Sequence, residues 1–167
     1  MGAFNVIVEN LAIVQEKVQQ ALNNRLNEKF DQTVKLIAVT KNNDIYAMRE
    51  AIDAGIKVVG ENRIQEALDK KKELNRTVEW HLIGHLQTNK VKQAVLNFDL
   101  IHSVDSERLA VEINKVANSL NKVQEILVQV NVVNEISKFG LNIEQVNSFI
   151  KTISQHENLK VVGLMLI

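Results

Sequence analysis

Six short apolar runs, separated by segments with helical periodicity, constrain the fold of this 167-residue chain more than any other feature. The runs cover residues 34–40, 57–60, 78–84, 98–103, 125–131 and 159–167, and the segments between them cover 45–54, 63–74, 89–96, 106–120 and 143–155. Strands that alternate with helices of about 10–15 residues predict an α/β protein with right-handed βαβ units and a parallel sheet. The pattern leaves a doubly wound sheet and a (β/α) barrel both open.

Local signals complete this predicted organisation. Apolar residues spaced three to four apart over residues 4–26 predict an extra helix at the N-terminus. Asn43 or Asp44 is predicted to cap the helix that follows the first strand, and Gly55 to end it. Ser106 is predicted to cap the helix that follows the fourth strand.

Composition excludes several classes of protein. Lys+Arg and Asp+Glu are equal at 20 each, which argues for neither a nucleic-acid nor a membrane partner. The basic cluster at residues 69–73 is predicted to be a solvated helix face, with phosphate binding as the weaker alternative. The absence of Cys excludes disulfides and thiolate chemistry. Without a Pro- or Gly-rich linker, a transmembrane run or a signal-peptide pattern, we expect a single cytoplasmic domain over residues 1–167.

Polar and reactive residues gather at the carboxyl ends of the predicted strands. In a parallel α/β fold that edge is where binding sites are built, because the loops there converge. Lys41 places an amine at this edge, where a carbonyl compound, in particular an aldehyde cofactor, can be held. The strand-end residues are Lys41, Gly60 to Asn62, Gly84 and His85, Ser103 to Asp105, Asn131 and Met165.

Each candidate residue also has a purely structural interpretation. Lys41 can be a surface lysine beyond a strand end. Asn62 can be the N-cap of the helix that starts at Arg63. His81 can be a hydrogen-bonded core residue, and Met165 a core residue that also touches a ligand. Only the convergence of several such residues on one edge favours a functional site.

Motifs of other site classes are missing from the sequence. There is no GxGxxG after the first strand, no Walker loop, no GxSxG elbow and no HExxH. His85 and His102 have no histidine or carboxylate partner four residues away, so no metal site is predicted. No residue is predicted to be catalytic.

The strand-end residues, taken in order, resemble those of the pyridoxal phosphate homeostasis proteins. These are small single-domain proteins that bind pyridoxal 5′-phosphate (PLP) and are related to the N-terminal barrel of bacterial alanine racemase. The matching segments are 37–41, 60–66, 80–90, 101–105, 130–131 with 135–140, and 163–165. The order and spacing of these six motifs make the resemblance specific. It implies a TIM-type (β/α) barrel with an extra N-terminal helix.

The resemblance implies PLP contacts by four residues: Lys41, Asn62, His81 and Met165. Lys41 matches the lysine that forms a Schiff base with the cofactor, a reaction that needs a neutral amine. If Lys41 points into the barrel, alternation places Val39 and Ile37 on the same face as an apolar floor. Lys90 and Lys138 also match family lysines, although a solvent-facing role is the simpler interpretation.

The chain departs from the family pattern at its end. Family members continue through two further βα units, whose Ser/Met/Gly-rich and Arg-Ile-Gly segments hold the phosphate and place an arginine at the pyridine nitrogen. This sequence stops at Ile167, inside the sixth strand, so we expect an incomplete barrel with about six of eight strands. We therefore expect a fragment of a longer protein. The resemblance implies a monomer, but exposed barrel edges would allow association with another chain.

The function implied by the resemblance is PLP binding and intracellular PLP homeostasis, with PLP carried on Lys41 and no catalytic turnover. An arginine at the ring nitrogen makes a poor electron sink, which suits storage. One alternative is a fold-type III PLP enzyme such as an amino-acid racemase, which would need a second domain with an opposing acid/base residue. The other is a truncated remnant that binds PLP weakly because phosphate contacts are missing.

Overall fold

The computed structural model of the protein describes residues 4–25, 33–133 and 139–167. The strands are β1 (Ile37–Val39), β2 (Val58–Glu61), β3 (Glu79–Leu82), β4 (Leu100–Val104), β5 (Gln124–Val130) and β6 (Leu159–Leu166). The helices are α1 (Phe4–Asn23), α2 (Ile45–Asp53), α3 (Ile64–Glu73), α4 (Val91–Asn97), α5 (Glu107–Ser119) and α6 (Ile143–Ile153), with a 3-10 turn at Thr88–Lys90. Every predicted element is present, and Leu26 lies outside the described residues. None of the described helices is long and apolar enough to cross a membrane.

The order of the strands selects the barrel over the doubly wound sheet. All neighbouring strands are parallel, and each new strand adds beside the previous one in the order β1 to β6. A doubly wound sheet would instead reverse its strand order at a switch point. Among the described strands, β1 and β6 each pair with one neighbour, so the sheet is open. The expected TIM-type architecture with six strands is therefore confirmed.

One face of the sheet forms an apolar core with the helices. Val59, Trp80, Leu82, Ile101 and Ile126 lie on this face and are all buried. They belong to one cluster with buried helix residues, among them Ala67, Val91, Ala94, Ala110, Ile113 and Ile153. Burial of one large aliphatic side chain contributes about 1.5–3 kcal/mol, so this layer holds the helices on the sheet.

The opposite face, called the inner face below, carries small and titratable residues. Successive side chains in a strand point to opposite faces, so residues beside the core positions point inward. Val39 of β1 pairs with Gly60 of β2, and Lys41 lies two residues beyond Val39. Along the same register line follow His81 of β3, Leu100 of β4, Glu125 of β5 and Lys160 of β6.

Strand β1 is shorter and more exposed than the buried strand predicted for residues 34–40. Val39 is 47% exposed, and Thr40, directly after the strand, is buried. The reason is that β1 pairs with β2 alone among the described strands. The apolar floor predicted beneath Lys41 is therefore incomplete, with a half-buried Ile37 and an exposed Val39.

The helix-end signals are correct for α2, whereas for α5 the cap position is correct and its hydrogen bond is missing. Asp44 Oδ1 accepts a hydrogen bond from Ala47 N at 2.8 Å, and Gly55 follows α2 with φ at +111°. Ser106 occupies the N-cap position of α5, but its side chain makes no capping hydrogen bond. Because this residue is exposed, water can satisfy the first amides of the helix instead.

The basic cluster on α3 is not the solvated face that the sequence predicts. Lys70 is buried, and Lys71 lies half-buried with Nζ 4.9 Å from the centroid of the Trp80 ring. Lys71 also donates to the carbonyl of Asn97, and burial lowers its pKa. Only Lys72 of the three lysines extends into solvent. The prediction fails because the aliphatic stem of a lysine can cover apolar surface while its amine reaches a polar partner.

We expect the substitution Gly84→Ala to destabilise the fold through a steric clash. A Cβ atom at Gly84 would lie 2.7 Å from Asn62 Cα and closer still to the Asn62 carbonyl oxygen. Overpacking of this kind lowers the free energy of unfolding by about 1–3 kcal/mol, which urea denaturation would measure. Gly163→Ala is the matched control, since its Cβ would meet the flexible end of Leu127 at 3.3 Å. An equal loss in both variants would contradict the steric explanation.

Candidate functional site

Lys41 is the second residue after β1, at the carboxyl edge of the sheet, with an exposed side chain. It belongs to a tight turn in which Asn43 N donates to the Thr40 carbonyl at 3.1 Å. The Asn43 side-chain amide donates to the Lys41 carbonyl at 3.1 Å, and Asn42 has φ at +61°. Asn is one of the few residue types that adopt this left-handed conformation readily. The turn therefore presents the Lys41 side chain to solvent at the mouth of the sheet.

Asn62 lies at the same carboxyl edge as Lys41, directly after β2. Because Val39 pairs with Gly60, Lys41 and Asn62 hold matching positions two residues further along adjacent strands. Helix α3 has Arg63 as its N-cap residue, so the interpretation of Asn62 as the cap of this helix is wrong. Asn62 is half-buried, which leaves part of its side chain accessible from solution.

A hollow of about 310 Å³ opens next to Asn62, between the start of α3 and the loop after β3. Its chemistry is that of hydrogen-bond donors and positive charge. None of the described residues that line it is acidic. Its polar lining comprises Asn62, Arg63, Gln65, His85, Gln87, Lys90 and Gln93.

His81 lies on the inner face of β3 and is buried. Its Nε2 atom is 2.7 Å from Glu79 Oε1, and its Nδ1 atom is 3.0 Å from His102 Nε2. Lys35 Nζ extends this chain by donating to Glu79 Oε2 at 2.9 Å. His81 is thus a hydrogen-bonded interior residue, which agrees with its purely structural interpretation. Its contact with a cofactor stays a prediction.

The surroundings of these hydrogen-bonded side chains shift the pKa values of Glu79 and His102. Burial raises the pKa of Glu79, but hydrogen bonds from His81 and Lys35 outweigh it and bring the pKa below its usual value. Burial, together with the neighbouring His81, lowers the pKa of His102 to about 4. His102 is therefore neutral at pH 7. The described residues contain no cluster of three or more His, Cys, Asp or Glu side chains that could hold a metal ion.

Met165 is separated from the other candidate residues in the sheet. It is half-buried on β6, where it pairs with Gln129 of β5. Strands β1 and β6 are the two edges of the described sheet, so strand pairing does not bring Met165 beside Lys41. Lys90 is exposed, in line with a solvent-facing role, and Lys138 lies outside the described residues.

A buried cluster of charges that sequence reasoning missed lies on α3 and β2, next to Lys41 in space. Lys70 Nζ donates to Glu61 Oε1 at 2.7 Å and to Glu66 Oε1 at 2.7 Å. It also donates to the Thr40 carbonyl at 2.6 Å, and the Thr40 hydroxyl donates to Glu61 Oε1 at 2.6 Å. Burial lowers the pKa of Lys70, but the two carboxylates outweigh burial and raise it. The spacing of Glu66 and Lys70, four residues apart on a helix, was the one signal of this cluster in the sequence.

The sequence of the chain matches a known domain family. Residues 16–167 match the alanine racemase N-terminal domain. The chain therefore belongs to the alanine racemase N-terminal domain family.

Its relatives narrow this assignment. A pyridoxal phosphate homeostasis protein of Aquifex aeolicus is 40% identical over 160 residues, which are 95% of this chain and 69% of that protein. One from Buchnera aphidicola is 36% identical over 164 residues, 97% of this chain and 71% of that protein. Within its family the chain thus groups with the pyridoxal phosphate homeostasis proteins, as the strand-end motifs indicated.

A solved structure supports the same grouping. PipY of Synechococcus elongatus PCC7942, solved with PLP bound, superposes with a TM-score of 0.79 at 37% identity. The superposition covers 96% of this chain and 70% of PipY. This chain therefore spans about 70% of the length of the relatives that it matches.

We expect the low pKa of His102 to make the fold lose stability as the pH falls from 6.5 toward 4. The unfolded state takes up a proton on His102 near pH 6.5, whereas the folded state does so only near its pKa of about 4. Between these values the unfolded state binds more protons, so the free energy of unfolding falls by up to about 3 kcal/mol. Urea denaturation across this pH range would measure the loss. His102→Gln, which cannot titrate, is expected to show a shallower profile, and an equally steep one would contradict this account.

Proposed function

We propose that the chain binds PLP at the carboxyl edge of its sheet, with Lys41 as the anchor, and acts as a carrier without catalytic turnover. One observation carries this proposal: Lys41 and Asn62 hold matching positions at the ends of adjacent parallel strands. Ligands of parallel α/β folds bind at that edge. The PLP-bound PipY structure, at 37% identity, and the names of the curated relatives support the choice of ligand.

The residues at this edge fit the functional groups of PLP. PLP supplies an aldehyde that condenses reversibly with a primary amine. Lys41 offers such an amine from an exposed position. The hollow beside Asn62 has amide and basic groups and no acidic one in its described lining, a donor set that suits an anionic ligand. Gly60, near the same edge, has no side chain that could obstruct a ligand. A Cβ atom there would lie 3.2 Å from both Ile37 and Ile83.

The exposure of Lys41 favours a carrier over an enzyme. Active sites that carry out chemistry on a cofactor exclude water, because a dry site strengthens the electrostatic interactions inside it. Among the described residues, Lys41 instead stands exposed on a turn, which favours reversible attachment of a ligand. His81, which lies on the inner face, is already engaged in hydrogen bonds with Glu79 and His102.

Lys41 is expected to be the residue labelled when the protein is mixed with PLP and reduced with borohydride, which makes the linkage permanent. Peptide mapping by mass spectrometry would locate the label, and Lys41→Ala is expected to abolish it. Lys57→Ala is the matched control, because Lys57 is also exposed but precedes β2 at the opposite end of the strands. Label scattered over many lysines would contradict a specific site. Racemisation of free alanine that depends on Lys41 would contradict the carrier role.

Asn62→Ala is expected to weaken PLP binding by about two- to tenfold, the effect of one lost hydrogen bond. Absorbance titration with PLP would measure the dissociation constant. Asn118→Ala is the control, since this asparagine is exposed on α5. An unchanged affinity in Asn62→Ala would remove Asn62 from the site while leaving Lys41 in it.

A further inference from the structure

Lys41 is bracketed by two anchored residues. Before it, the Thr40 carbonyl accepts a hydrogen bond from Lys70 Nζ at 2.6 Å. After it, Asn42 N donates to Glu66 Oε1 at 2.8 Å. The two anchors meet, because Lys70 Nζ also donates to Glu66 Oε1 at 2.7 Å. Contacts from α3 therefore hold the backbone on both sides of Lys41, and with it the direction of the Lys41 side chain.

Stability alone does not explain this cluster. The Glu61 side chain is completely buried, and that of Lys70 is 9% exposed. Moving such charges out of water costs free energy that their mutual attraction only about offsets, and well-packed apolar side chains often serve a core equally well. Apolar side chains, however, cannot donate to the Thr40 carbonyl or accept from the amide of Asn42. The distinctive contribution of the cluster is the geometry of the turn.

The turn depends on such support because of the conformation of Asn42. Its φ of +61° is unfavourable for a residue with a side chain, even though Asn tolerates it better than most. The Glu66 carboxylate stabilises this conformation by accepting a charge-assisted hydrogen bond from the Asn42 amide. Without that acceptor the turn is free to relax, and the neighbouring Lys41 moves with it.

We propose that Glu66 and Lys70 are positioning residues for Lys41. They hold the turn at residues 40–43 so that the amine meets a ligand in one orientation, and neither residue touches the ligand. The inference that Glu66 and Lys70 hold the turn depends only on the contacts described above. The identity of the ligand as PLP depends on the proposed function. Helix α3 begins two residues after Asn62 and carries both positioning residues, so its docking also sets the spacing between Lys41 and Asn62.

The test compares two carboxylates on the same helix. Glu66→Ala removes the acceptor of the Asn42 amide, and Glu66→Gln retains an oxygen that can accept the same hydrogen bond. Asp69→Ala is the matched control, since Asp69 also pairs with a lysine of α3, Lys72 at 2.8 Å, but is exposed. Hydrogen exchange at the Asn42 amide reports the turn without any ligand. The rate at which PLP attaches to Lys41, trapped with borohydride, reports the orientation of the amine, and urea denaturation reports global stability.

For Glu66→Ala we expect Asn42 amide exchange to accelerate roughly tenfold or more and PLP attachment at Lys41 to slow by a similar factor. Glu66→Gln is expected to restore much of both, and Asp69→Ala to change neither. An attachment rate in Glu66→Ala equal to that of the wild type would overturn the positioning role while the proposed function stands. If the wild type shows no label on Lys41, the proposed function fails. In that case the hydrogen-exchange result still tests the turn by itself. An unchanged exchange rate at the Asn42 amide in Glu66→Ala would show that Glu66 does not hold the turn, and a faster rate would show that it does.

Discussion

The pairing of two buried charges, Glu61 on β2 and Lys70 on α3, is the constraint on which the arrangement around the candidate site depends. A carboxylate with no exposed surface requires a cation beside it. Lys70 meets this requirement, and because it also donates to Glu66 and to the Thr40 carbonyl, it ties α3 both to β2 and to the turn after β1. The pairing therefore also determines where the Ala67 side chain packs in the core.

The order of the secondary-structure elements could be predicted because every strand and helix carries its own local periodicity. The choice between a barrel and a doubly wound sheet could not, since it depends on which strands pair over long distances in the chain. Boundaries were least predictable where tertiary contacts decide them, as in β1, which the sheet leaves with a single partner. The burial of Lys70 and Lys71 could not be predicted for a related reason. A run of charges does not reveal which side of its helix faces the sheet.

The candidate site, like the fold, could be predicted from the sequence only in part. The positions of Lys41 and Asn62 followed from the rule that parallel strands end at one edge, and PLP entered only through the resemblance to a known family. Glu79 could have been recognised as a partner of His81, because residues two apart in a strand share a face. His102 could not, since its contact with His81 depends on the register between β3 and β4.

Lysines near the two ends of the strands differ in whether a carboxylate already pairs with them. At the amino-terminal ends, Lys35 pairs with Glu79 at 2.9 Å and Lys160 with Glu125 at 2.8 Å, so positive and negative charges neutralise each other. At the carboxyl ends stand the exposed amine of Lys41 and the donor-rich hollow beside Asn62. The carboxyl edge therefore keeps the Lys41 amine and several hydrogen-bond donors available to a negatively charged solute, whereas Lys35 and Lys160 at the other end are already paired with carboxylates.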